Sequence, residues 1–198
     1  RTFIRFGAAN YAAVVWVNGE EVVRHTGGFT PFEGEITDLL KPDGNFLVVK
    51  VDDQRLKNGV PALNTDWWNY GGITRDVLLV QTPATFVRDY VCQLDPENND
   101  LISGHVTVDG AVPGQTATLS IKELAIEAVI TLGLGESKFS MQASPDRWTP
   151  DSPRCYTVEF RVEADTISDQ IGFRSIKTDG ENILLNGESI FLKGISSH

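Results

Sequence analysis

The sequence predicts an all-β protein built as two successive β-sandwich regions. Three observations carry this. Short runs rich in Val, Ile and aromatic residues recur roughly every eight to twelve residues. Turn residues separate them, twice as Asn-Gly at Asn18-Gly19 and Asn186-Gly187. No stretch shows a 3.6-residue apolar stripe with caps, apart from a short turn at Thr37 to Leu40.

The strands follow in order. Phe3-Ile4-Arg5-Phe6 reads as strand. Tyr11 to Val17 runs into Asn18-Gly19, and Glu20 to Arg24 follows. Asn-Gly tolerates positive φ at both central positions, which suits a tight type I′ hairpin. Phe46 to Val51 follows the turn Pro42-Asp43-Gly44-Asn45. Gly72 to Val80 ends in the strand Asp76 to Val80, and Thr82-Pro83 marks a boundary. Beyond it lie Phe86 to Leu94, Leu101 to Val108, Thr116 to Lys122, Ala125 to Leu132, Lys138 to Ala143, Tyr156 to Ala164 and Ile167 to Ile176. Seven short strands in that span fit an immunoglobulin-like sandwich. A last hairpin, Asn182 to Leu185 and Ser189 to Gly194, turns at Asn186-Gly187.

Composition narrows the function. The 198 residues are 41% hydrophobic and carry a net charge of −10. That is globular rather than disordered composition. The negative charge argues against nucleic-acid partners and against docking on anionic membranes. No apolar run reaches the roughly 18–20 residues that span a bilayer, and no basic-then-apolar leader opens the chain. Cys92 and Cys155 read as two free buried thiols rather than a disulfide scaffold. His25, His105 and His198 are scattered, so neither a zinc site nor any cofactor is expected. Asp95-Pro96-Glu97-Asn98-Asn99-Asp100 is rich in oxygen ligands but lacks EF-hand spacing, and reads as a solvated hairpin loop.

One segment breaks the β rhythm. Asp53 to Asp76, roughly 24 residues, exceeds the usual length of a structureless connection. It contains Asp66-Trp67-Trp68-Asn69-Tyr70-Gly71-Gly72. Aromatic faces stack on the C–H face of a pyranose, while Asp and Asn hydrogen-bond its hydroxyls. The same aromatics would also serve to pin the loop onto the sandwich, and the residues by themselves admit both roles.

Four stretches resemble glycoside hydrolase family 2, which includes β-galactosidases and β-glucuronidases. The first is Val15-Trp16-Val17-Asn18-Gly19-Glu20-Glu21-Val22 with Gly27-Gly28-Phe29-Thr30-Pro31-Phe32. The second is Asp66-Trp67-Trp68-Asn69-Tyr70-Gly71-Gly72-Ile73-Thr74-Arg75-Asp76-Val77. The third is Trp148-Thr149-Pro150-Asp151-Ser152-Pro153 with Tyr156, then Gly172-Phe173-Arg174. The fourth is Leu185-Asn186-Gly187-Glu188-Ser189-Ile190-Phe191-Leu192-Lys193-Gly194-Ile195-Ser196-Ser197-His198.

The resemblance implies a sugar-binding jelly roll over residues 1–82 without its first strands. It implies an immunoglobulin-like sandwich over 83–176 and the truncated start of a catalytic (β/α)8 barrel over 177–198. It further implies that the parent protein is a retaining exo-β-glycosidase acting on a carbohydrate substrate, and homo-oligomerisation of that parent is compatible with it. Asp66 would contact hydroxyls of the terminal sugar, with Asn69, Tyr70 and His198 nearby and Trp67 or Trp68 as a wall. The acid/base and nucleophile glutamates would lie beyond His198, so no catalytic residue is assigned within the chain. Glu20 and Glu21 belong to a hairpin, Glu33 and Glu35 flank a turn, and Glu123 and Glu127 lie on sandwich strands. Arg75 is expected to pair with Asp76 or a neighbour. The alternative function is a stand-alone carbohydrate-binding β-sandwich without catalysis.

Overall fold

The computed structural model describes residues 1–65 and 67–195. The chain divides into two compact units, Arg1–Thr82 and a second from Pro83 onward.

The first unit contains β1 (Thr2–Phe6), β2 (Ala9–Asn10), β3 (Ala12–Val17), β4 (Glu20–Thr26), β5 (Phe32–Glu35), β6 (Leu47–Asp52), β7 (Gly72–Ile73) and β8 (Val77–Gln81). They form antiparallel sheets in the orders β5-β1-β8, β4-β3-β6 and β2-β7. Period-2 alternation decides which face is covered. On β3, Ala13, Val15 and Val17 are buried and their neighbours are not. These side chains meet Ile4 and Phe6 from β1, and Phe32 and Ile36, in one core. Phe6 and Phe32 lie opposite each other across the β1–β5 ladder. Their rings stack at 4.9 Å, and His25 stacks on the other face of the group, 4.4 Å from Phe32. Burial of each Phe is worth about 1.5–3 kcal/mol.

The turn at Asn18-Gly19 has φ of 54° and 93°, as a type I′ hairpin requires. Asn18 does more than turn the chain. Its Nδ2 donates to the Leu39 carbonyl at 2.7 Å and to Asn45 Oδ1 at 2.8 Å, and its Oδ1 accepts from the Phe46 amide at 3.0 Å. The hairpin is thereby tied to the 3-10 turn Thr37–Leu39 and to the start of β6. Glu33 and Glu35 do not flank a turn: both sit on β5, paired with Arg5 and Phe3. Glu35 accepts from Arg1 Nη2 at 2.6 Å and from Thr37 Oγ1 at 2.8 Å.

The second unit contains β9 (Phe86–Leu94), β10 (Leu101–Asp109), β11 (Thr116–Ile121), β12 (Ile126–Thr131), β13 (Glu136–Gln142), β14 (Tyr156–Val162) and β15 (Asp165–Ile171), followed by β16 (Ile176–Asp179), β17 (Asn182–Leu185) and β18 (Glu188–Ser189). The first seven form two antiparallel sheets, β13-β10-β9 and β12-β11-β14-β15. Their inner faces share one core that includes Ile102, Val106, Leu119, Ile121, Val158 and Phe160. Phe160 of the four-stranded sheet packs against Tyr90 (4.8 Å) and Phe139 (5.8 Å) of the three-stranded one. Tyr156, at the start of β14, accepts through its hydroxyl from the Asp146 amide at 2.8 Å. That bond fastens the long connection before β14 to the strand.

Several local expectations change. The run Ile167 to Ile176 is two strands, because β15 stops at Ile171 and β16 begins at Ile176. Glu123 lies in a 3-10 turn, Lys122–Leu124, and accepts from the Thr157 amide at 3.0 Å. That bond holds its carboxyl below the ordinary glutamate range. Cys92 is buried but Cys155 is exposed, so only one thiol belongs to the core; both are free. In the Asp95–Asp100 loop, Asp95 Oδ1 accepts from the amides of Glu97 (3.0 Å) and Asn98 (3.1 Å), an Asx turn. These bonds, that from Glu97 first, lower the Asp95 pKa. Among the described residues, no cluster of three His, Cys, Asp or Glu side chains is arranged to hold a metal ion.

Asn186-Gly187 repeats the hairpin chemistry of Asn18-Gly19, with φ of 55° and 90°. Asn186 Nδ2 donates to the Trp148 carbonyl at 3.0 Å, and its Oδ1 accepts from the Ser175 amide at 3.1 Å. The second strand of this hairpin is shorter than expected and ends at Ser189. One further backbone bond, from the Ile190 amide to the Ile183 carbonyl of β17 at 3.0 Å, extends the pairing past β18; beyond it the apolar Phe191, Leu192 and Ile195 are exposed.

Candidate functional site

The aromatic loop leaves β6 and returns through β7. The two-residue strand β7 shortens the structureless stretch, and its pairing with β2 closes the loop's far end (Ala9 with Ile73, Asn10 with Gly72). Further bonds zip the return: the Thr74 amide to the Ala8 carbonyl at 3.2 Å, and the Gly7 amide to the Asp76 carbonyl at 2.9 Å. Arg75 was expected in an ion pair. Among the described residues its guanidinium instead donates to the Phe29 carbonyl at 3.3 Å. Its stem packs over Gly7, where an added Cβ would lie 2.8 Å from Arg75 Cβ.

Among the described residues, side-chain hydrogen bonds brace the loop at both ends. Arg55 Nη2 donates to the Ala62 carbonyl at 2.6 Å and to Thr65 Oγ1 at 2.7 Å, bracing the segment just before Asp66. Asn10 Nδ2 donates to the Tyr70 carbonyl at 2.7 Å, fixing the segment just after Asn69. Gly71 lies against the Asp53 side chain so closely that any Cβ there would fall 2.2 Å from Asp53 Oδ2. Only glycine permits that approach.

Between these braces the aromatic side chains face solvent. Trp67 is 51% exposed, Trp68 85% and Tyr70 72%. Asn69 is half-buried and lines a narrow cleft with Tyr11, Asp53, Arg55 and Pro61. The four residues therefore share one loop. Pinning of that loop falls to Arg55 and Asn10, while Trp68 and Tyr70 remain largely uncovered. Exposed indole and phenol rings on a braced loop suit stacking against a flat, partly apolar ligand face. Asp66 and His198, the other two expected ligands, lie outside the described residues.

Sequence reasoning missed Asn10 and Arg55. The signal for Asn10 was present: it is the one amide in the run Ala8-Ala9-Asn10-Tyr11-Ala12-Ala13. An isolated polar side chain in a small-residue strand region is expected to be buried and bonded. Arg55 carried no comparable mark.

The family model for the sugar binding domain of glycosyl hydrolases family 2 matches residues 1–83, and a second model of the same family matches residues 85–174. The chain belongs to glycosyl hydrolases family 2. Relatives within the family include a β-glucuronidase of Paenibacillus borealis, 29% identical over 224 residues, which cover 100% of this chain and 37% of that protein. A β-galactosidase of Arthrobacter sp. (strain B7) is 29% identical over 195 residues, 98% of this chain and 19% of the relative. Among solved structures, Bifidobacterium dentium β-glucuronidase complexed with coumarin-3-O-glucuronide shares the fold, with a TM-score of 0.84 at 23% identity over 98% of this chain and 39% of that one. Ruminococcus gnavus β-glucuronidase in complex with D-glucuronic acid superposes with a TM-score of 0.77 at 25% identity, covering 98% of this chain and 37% of that one. This family 2 chain thus spans well under half the length of the relatives it matches.

Proposed function

We propose that the chain is the non-catalytic portion of a retaining exo-β-glycosidase of the β-glucuronidase or β-galactosidase type, and that its 66–70 loop forms part of the pocket for the terminal sugar. In this reading residues 1–82 are the sugar-binding jelly roll, 83–176 an immunoglobulin-like β-sandwich, and 177–198 the start of the catalytic barrel. The observation that carries this reading is the exposed Trp67, Trp68 and Tyr70 on a loop braced from both sides. Trp67 or Trp68 offers an aromatic face to the sugar ring. Asp66, Asn69 and Tyr70 supply hydrogen bonds to sugar hydroxyls, and His198 is a further substrate-binding residue in this reading.

The reaction itself needs two carboxyl groups about 5–5.5 Å apart flanking one glycosidic bond. Three glutamates of this chain have structural partners: Glu35 binds Arg1 and Thr37, Glu123 binds the Thr157 amide, and Glu21 pairs with Arg24. Following the family resemblance, the catalytic pair is assigned to chain outside these residues. Two measurements test the proposal. In the intact glycosidase, Asp66→Ala removes a charge-assisted hydroxyl contact worth about 1.5–3 kcal/mol, a loss of roughly 10- to 150-fold in kcat/KM on a nitrophenyl β-glycoside. Trp67→Ala raises KM on the same substrate. Unchanged kinetics in both variants would remove the loop from the pocket. The 198-residue chain alone is expected to hydrolyse no nitrophenyl glycoside, and turnover abolished by replacing one of its own glutamates would relocate the chemistry.

A further inference from the structure

Asn10 is an unusual side chain for its surroundings. It is 2% exposed, next to the fully covered Ala8 and Ala9. Its Nδ2 is committed to the Tyr70 carbonyl, while its Oδ1 is buried with no hydrogen-bond partner among the described residues. A half-satisfied buried amide is a poor stabiliser, since an apolar residue of similar size would avoid the desolvation of that oxygen. What the amide does supply is a directed bond to the backbone of the aromatic loop, 60 residues away in sequence.

The position of that amide is set by Gly28. A Cβ on Gly28 would lie 2.5 Å from Asn10 Oδ1, 3.0 Å from its Cγ and 3.3 Å from its Cβ. The whole side chain is therefore seated against the bare glycine backbone. Gly28 is not among the glycines with positive φ, so its backbone accepts alanine and the absence of a side chain is needed for space alone.

We infer that Asn10, seated on Gly28, is the positioning residue for the Trp67–Tyr70 segment and through it for sugar recognition; the second half of this inference rests on the pocket reading proposed above. Asn10 touches the loop's main chain and leaves Trp67, Trp68 and Tyr70 free to meet the ligand. Gly28→Ala acts on the loop only by displacing Asn10. The effect of Gly28→Ala must then vanish once Asn10 has been cut back to alanine.

The test has two readouts. Hydrogen exchange of the 198-residue chain follows peptides covering residues 62–72. Asn10→Ala and Gly28→Ala are each expected to speed exchange there by about tenfold, with peptides from β9 to β15 unchanged and the melting transition retained. The double variant is expected to match Asn10→Ala alone. Exchange that stays at the wild-type rate, or effects that add in the double variant, would overturn the role of Asn10. In the intact glycosidase, each single variant is expected to raise KM for a nitrophenyl β-glycoside about tenfold with kcat held within about threefold. Asp66→Ala and Trp67→Ala, measured alongside, judge the pocket separately. Faster exchange with kinetics unmoved by both of these variants keeps Asn10 as the loop's anchor and discards the sugar site; unmoved exchange discards the anchor whatever Asp66→Ala and Trp67→Ala do.

Discussion

The hydroxyl of Tyr90 on β9 donates to Asp169 Oδ2 on β15 at 2.8 Å, fastening a strand of the three-stranded sheet to the outer strand of the other. Three residues earlier on β9, the Val87 amide donates to Asp165 Oδ2 at 2.8 Å. Burial and the neighbouring carboxylate both push the Tyr90 pKa upward. The hydrogen bond from Tyr90, and then that from the Gln170 amide, pull the Asp169 pKa down.

These shifts give the seam a pH window. Asp169 has a lowered folded pKa, so its contribution is fully present above the unfolded aspartate value of about 3.9 and fades as pH falls below it. Tyr90 has a raised folded pKa, so its contribution is present below the unfolded tyrosine value of about 10 and fades as pH rises beyond it. Tyr90→Phe should lower the denaturation midpoint between those limits and lose its effect in acid. A midpoint difference that persists unchanged at pH 2 would break the assignment.

Gly104 tolerates no side chain. On β10 a Cβ at this position would lie 1.8 Å from the Val91 carbonyl oxygen and 2.9 Å from the Phe139 ring. The first of these is backbone of the paired strand β9 and cannot step aside. Gly104→Ala is expected to destabilise the second unit by roughly 1–3 kcal/mol or more, as overpacking does. Urea denaturation measures it.

Phe160 fills the space between the sheets with 0% exposure. Truncation to alanine strands the rings of Tyr90 and Phe139 beside a cavity. A loss of about 3–5 kcal/mol is expected from Phe160→Ala. A cost below about 1 kcal/mol would mean that the two sheets do not share this residue.

The two thiols should separate chemically. Burial pushes the Cys92 thiol up to about 12, whereas Cys155 lies on the surface. A thiol-reactive disulfide reagent at pH 8 should therefore modify one cysteine in the native chain and both in denaturant. Mass mapping should place the native label on Cys155.

The β order was legible because its signals are local. Val-rich alternation fixes which face of β3 is buried, and the two Asn-Gly pairs demand positive φ where Asn18 and Asn186 stand. The composition of the aromatic loop was legible for the same reason, since Trp67, Trp68 and Tyr70 are adjacent in sequence. What holds the loop was not. Asn10 reaches Tyr70, and Arg55 reaches Ala62 and Thr65, through contacts that exist only once the chain has folded back on itself. The ends of strands failed for a related reason. A run such as Ser189 to Gly194 has strand composition, but a strand is completed by a partner that composition does not supply. Cys155 was misjudged because residue type sets only an average tendency to be buried.

Asn18 is followed directly by Gly19, and that pair is chemically labile. Asparagine followed by glycine is the sequence most prone to lose its side-chain amide with age, through attack by the next backbone nitrogen on the side-chain carbon. Here both ends of that amide are held, by Leu39 and Asn45 on one side and Phe46 on the other. The reaction must wait for the turn to open. Slow loss of ammonia at this position, giving a cyclic imide that water opens to aspartate or isoaspartate, would therefore count openings of the first hairpin, and each conversion would replace the amide that donates to the Leu39 carbonyl with a carboxylate and keep the turn from closing as before.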